Sequence, residues 1–103
     1  MFSKESTIRL VFVNGPYSGK SIMLQPDRRM IIGRGRETDL PLDDETLSRR
    51  HCMLIFEDGK FYVDDLDSVN GTFVNGDRIS EKTEIQEFDR VFFGSTEMEL
   101  RCD

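Results

Sequence analysis

Apolar residues in this chain recur at every second position over short runs, and almost every run stops at Gly, Asn, Asp or Pro. A period of two places successive side chains on opposite faces of an extended backbone, so one face is buried while the other meets water. Phe61-Tyr62-Val63-Asp64 shows the pattern plainly. The expected strands are Ile8 to Val13, Ser21 to Leu24, Met30 to Ile32, Leu40 to Leu42, His51 to Phe56, Lys60 to Asp64, Thr72 to Val74, Arg78 to Ile79, Glu84 to Ile85, Arg90 to Phe93 and Glu97 to Arg101. No long helix, internal repeat or low-complexity linker interrupts them. The fold expected is all-β, a two-sheet β-sandwich of about eleven short strands.

Turn chemistry agrees with these breaks. Asn75-Gly76 stands between Thr72-Phe73-Val74 and Asp77-Arg78-Ile79, where a two-residue hairpin needs two positive φ angles. Glu57-Asp58-Gly59-Lys60 does the same earlier in the chain. Gly15-Pro16-Tyr17-Ser18-Gly19-Lys20-Ser21 imitates a nucleotide-binding loop but is one residue short between its glycines. The following Ser21-Ile22-Met23-Leu24-Gln25-Pro26 reads as a strand rather than the helix such a loop requires, so a hairpin turn is expected and no nucleotide.

A length of 103 residues fits one domain, and 37% hydrophobic content with eight Phe supplies a modest core. Residues 1–6 are expected to form a flexible tail and residues 7–102 the domain. A formal net charge of −6 argues against general nucleic-acid or anionic-membrane binding, since both rely on neutralising phosphates with Lys and Arg. Cys52 and Cys102 lie far apart without CxxC spacing, so two reduced thiols are expected and neither a metal nor another cofactor. Met1 to Ser6 has no apolar leader core and no run approaches membrane-spanning length, so a cytoplasmic setting is expected.

The polar chemistry gathers at three places where strands give way to turns. Gly33-Arg34 follows the apolar run Met30-Ile31-Ile32, Ser48-Arg49-Arg50-His51 precedes Cys52 to Phe56, and Asn70-Gly71-Thr72 opens another strand, with Asn75 just beyond. Arg34 offers a planar fork of N–H donors, Ser48 a short hydroxyl, Arg49 a second cation and Asn70 an amide able to pair with a peptide backbone. Gly33 and Gly71 leave room for close approach. Together they describe a receptor for a phosphorylated peptide held between rigid strands. Ser48 and His51 could instead be nucleophile and base, but positions three apart on an extended chain face opposite ways and no acid is placed to orient the histidine.

This order of motifs resembles the forkhead-associated (FHA) domain family over roughly residues 7–102. The resemblance implies that Arg34 and Ser48 contact the phosphate with Arg49 as a further contact, and that Asn70 grips the peptide main chain. It gives His51 a scaffold role opening a strand, and makes Thr72 and Asn75 loop braces. Val69 stands where relatives often carry a polar residue, leaving its backbone to take part, and Arg50 is either a ligand contact or a surface charge. The implied ligand is phosphothreonine in a partner protein downstream of a Ser/Thr kinase, bound without catalysis by a domain that is monomeric when unliganded. The alternative is a phosphate-independent interaction or self-association scaffold on the same fold. Asp43-Asp44-Glu45 are either a solvated loop or a feature favouring ligands with basic flanks.

Overall fold

A computed structural model describes residues 8–102. The expected tail lies outside them. The strands are β1 (Ile8–Asn14), β2 (Ser21–Leu24), β3 (Arg28–Gly33), β4 (Leu40–Pro41), β5 (Cys52–Glu57), β6 (Lys60–Asp65), β7 (Thr72–Val74), β8 (Asp77–Arg78), β9 (Thr83–Ile85), β10 (Arg90–Phe93) and β11 (Thr96–Cys102). They form a six-stranded sheet in the order β2-β1-β11-β10-β7-β8 and a five-stranded sheet in the order β4-β3-β5-β6-β9. All pairs are antiparallel except β3 with β4. The all-β two-sheet sandwich expected from the alternation is the fold observed, and no helix occurs among the described residues.

The core lies between the sheets and follows the period of two. Ile8, Leu10 and Phe12 of β1, Val91 and Phe93 of β10, and Met98 and Leu100 of β11 meet Leu54, Phe56, Phe61, Val63 and Ile85 from the facing sheet, all buried. At roughly 1.5–3 kcal/mol for each large side chain fully removed from water, this inward row is the main stabilising term. Strand ends differ by a residue or two from expectation. β3 starts at Arg28 because Arg28 and Arg29 pair with Phe56 and Ile55, a ladder that their exposed charged side chains conceal in the sequence. β5 starts at Cys52, so His51 belongs to the preceding loop. Leu42 and Ile79 leave the ladders, and their N–H groups donate to the Gly33 and Thr72 carbonyls.

Both predicted tight hairpins have paired positive φ values, 51° and 88° at Asn75-Gly76 and 52° and 70° at Asp58-Gly59. The nucleotide-loop mimic is the β1–β2 hairpin turn, closed by Phe12 and Lys20. Its Tyr17 packs on Phe12 and accepts a hydrogen bond from the Asp43 N–H at 2.7 Å, propping the long β4–β5 loop. Both cysteines are free, and burial pushes the Cys52 thiol pKa far up.

Candidate functional site

Three loops at one end of the sandwich are laced together: β3–β4 after Gly33, β4–β5 across residues 42–51, and β6–β7 across residues 66–71. Gly33 makes the first seam possible. A Cβ there would lie 2.7 Å from the Arg49 carbonyl carbon and 3.0 Å from the Ser48 carbonyl oxygen, a space that only a hydrogen can share. Across the seam the N–H groups of Arg34 and Gly35 donate to the carbonyls of Ser48 and Arg49, each at 3.0 Å. Arg34 Nε donates to the Leu47 carbonyl at 3.2 Å, which leaves its two terminal nitrogens without a partner among the described residues.

His51 ties the second loop to the third. It is fully buried, its Nδ1 accepts from the Ser48 N–H at 3.1 Å, and its Nε2 lies 2.8 Å from the Gly71 carbonyl. A carbonyl only accepts, so Nε2 carries the proton and the ring is the neutral tautomer, set by these two neighbours. The chain bends at Arg49 and Arg50 rather than running extended from Ser48 to His51 as assumed from sequence. Even so, the imidazole addresses the Ser48 backbone and not its hydroxyl, so nucleophile and base are not paired.

The third loop is closed around Asp65 at the end of β6. Its carboxylate accepts from the Ser68 N–H at 3.1 Å, the Ser68 hydroxyl at 2.6 Å and the Thr72 hydroxyl at 2.7 Å. Burial raises its pKa, but the bonds from Ser68 and Thr72 outweigh burial and hold it below the usual carboxylate range. Ser68 Oγ accepts in turn from the Gly71 N–H at 2.9 Å. Gly71 has φ +91°, and a Cβ there would meet the guanidinium of Arg78.

Asp44 anchors the second loop to the β10–β11 turn. Oδ1 accepts from the Thr46 N–H and hydroxyl and Oδ2 from the Ser95 N–H and hydroxyl, at 2.6 to 2.9 Å. Burial raises its pKa, yet these bonds win and bring it to about 2. Asp44 is thus neither a solvated loop acid nor free to read a ligand, unlike its exposed neighbours Asp43 and Glu45. Asp44, Asp65 and Ser68 support the site without standing out in the sequence; their partners identify them.

These braces bring Arg34, Ser48, Val69 and Asn70 together. Ser48 Oγ accepts from the Val69 N–H at 2.9 Å, so its own proton is left to donate outward. Asn70 Nδ2 donates to the Thr46 carbonyl at 2.8 Å, leaving Oδ1 to accept from a peptide N–H. Val69 is 82% exposed at the loop tip. Arg49 sits on the rim beside Glu37, and Arg50 is exposed with no partner among the described residues. Asn75 is not brought into the cluster. It sits at the far end of β7 from Asn70, where it pairs with Arg90 and Asp89 and braces its own hairpin.

The FHA domain family model matches residues 30–94, the span that carries all three loops. The FHA domain-containing protein FhaB of Mycobacterium tuberculosis is 33% identical over 92 residues, covering 89% of this chain and 59% of that protein. The chain spans about one fifth to three fifths of the length of curated relatives it matches. An FHA domain solved in work on phosphothreonine-dependent FHA domain interactions superposes with a TM-score of 0.80 at 28% identity, covering 92% of this chain and 95% of that one. The FHA domain of the CT664 protein from Chlamydia trachomatis gives 0.86 at 26% identity, covering 92% and 96%. With the strand order, the laced loops and the matched span in agreement, this chain belongs to the FHA domain family.

Proposed function

We infer that this domain is a non-catalytic module that binds phosphothreonine in partner proteins and so links them to Ser/Thr kinase signalling in the cytoplasm. One observation carries the inference. Among the outward-facing groups left over after the loops are braced are two terminal nitrogens on Arg34, the Ser48 hydroxyl proton and Asn70 Oδ1. The first two are donors suited to a phosphate with about −1.5 to −2 charges and three acceptor oxygens, and the third is an acceptor suited to a peptide N–H. Arg49 supplies a second cation at the rim, while Gly33, His51, Gly71 and Thr72 hold the loops in register. The phosphothreonine-dependent interactions of a solved relative point the same way.

A screen of a phosphopeptide library, with matched phosphothreonine, phosphoserine and unphosphorylated members, tests the assignment. Phosphothreonine peptides are expected to bind and unphosphorylated ones not. Arg34→Ala removes two charge-assisted bonds worth about 1.5 to 3 kcal/mol each, so affinity should fall by about 100-fold or more. The folded domain should persist, since Arg34 is exposed. Near-normal affinity in that variant, or binding that survives phosphatase treatment of the ligand, would overturn the assignment.

A further inference from the structure

The two candidate phosphate cations are not equivalent. Arg49 Nη2 lies 3.3 Å from Glu37 Oε2, with the side chains 66% and 53% exposed. The Glu37 carboxylate is folded back over Gly35, the residue after Arg34, with Oε2 2.7 Å from where a Cβ on Gly35 would stand. Arg34 has no carboxylate within ion-pair distance among the described residues. One cation is therefore uncompensated, and the other is already matched by an anion of this chain at the mouth of the notch.

We propose that Glu37 is a specificity-determining residue that exchanges Arg49 for a basic side chain flanking the phosphothreonine of the ligand. The inference rests on the assignment of Arg34, Ser48 and Arg49 as phosphate contacts. A phosphate held by Arg34 carries about twice the charge of a carboxylate and one more acceptor oxygen, so it outcompetes Glu37 for the Arg49 guanidinium. A solvent-exposed ion pair holds its partners only weakly, so the exchange costs little. It leaves the Glu37 carboxylate without a cation beside the bound phosphate. A Lys or Arg next to the phosphothreonine fills that vacancy, and an alanine does not.

The test is fluorescence anisotropy of the full chain at low ionic strength. The probes are a phosphothreonine peptide with alanine flanks and its single-lysine variants at each neighbouring position. The wild type should favour at least one lysine variant by about two- to fivefold, the range an exposed pair provides. Glu37→Gln should tighten the alanine-flanked peptide by about two- to fivefold and flatten the lysine preference. That tightening should vanish in the Arg49→Ala background. A wild type indifferent to lysine, a preference that survives Glu37→Gln, or an unchanged alanine-peptide affinity would each overturn the proposal while leaving the phosphate site standing. A wild type that binds none of these phosphopeptides would fail the phosphate site itself, and this proposal with it.

Discussion

Replacing Gly33 by alanine perturbs the seam on which the whole site depends. Its backbone φ is not in the left-handed region, so alanine is conformationally permitted and the cost is steric. The added methyl would stand 2.7 Å from the Arg49 carbonyl carbon, 3.0 Å from the Ser48 carbonyl oxygen and closer still to the Arg49 oxygen. All three are backbone atoms, so no side-chain rotation relieves the clash. Restoring ordinary contact needs about 1 Å of separation between the end of β3 and the β4–β5 loop. The two hydrogen bonds across the seam, each 3.0 Å long, would then exceed hydrogen-bonding range. At about 0.5 to 1.5 kcal/mol net each, the loss is about 1 to 3 kcal/mol. In a domain of this size that lowers the melting temperature by about 5 to 20 °C. Arg34 and Ser48 also move apart, so one of the two no longer reaches a shared phosphate and affinity should fall by about tenfold or more. Gly35→Ala is the contrast, because the three atoms nearest its new methyl all belong to the Glu37 side chain, whose end can swing away. Calorimetric melting and peptide titration of both variants decide the matter. A Gly33→Ala protein that melts within about 2 °C of wild type and binds normally would refute the reasoning.

Further expectations concern the buried braces. The depressed pKa of Asp44, about 2 against an ordinary 3.8, contributes stability that is fully present above the unfolded value and is lost as pH falls from about 5 through 2. The shift corresponds to about 2 kcal/mol, so chemical denaturation across that window should show a slope that Asp44→Asn flattens. His51→Ala leaves the Gly71 carbonyl and the Ser48 N–H without their partner and opens a cavity beside Phe93. It should cost about 2 to 4 kcal/mol in denaturant titration, and a change below about 0.5 kcal/mol would contradict the bracing role.

The fold was legible because its cues are local. Alternation in Phe61 to Asp64 and the positive-φ turn at Asn75-Gly76 depend only on neighbours in sequence, and both occur where expected. Strand ends were less legible where the ladder is carried by charged residues, as at Arg28 and Arg29, because backbone pairing leaves no mark on side-chain polarity. Within the site, the residue types at 34, 48 and 70 announced their chemistry, but what each does with its hydrogen-bonding groups did not show. Asp44 looked like one of three equivalent acids until Ser95, 51 residues away, proved to be its partner.

The sequence by itself determined an extended, turn-punctuated chain and which donors stand at its strand ends, because periodicity and turn preference act over a few residues. Only the tertiary structure decided which of those groups are consumed and which face outward. Val69 and Ser48, 21 residues apart, meet at 2.9 Å, and this contact turns a two-way hydroxyl into an outward donor. Arg49, 12 residues from Glu37, is matched by it while Arg34 stays uncompensated. Such pairings follow from how two sheets close over one core and bring distant loops to one end, and no stretch of neighbouring residues encodes them.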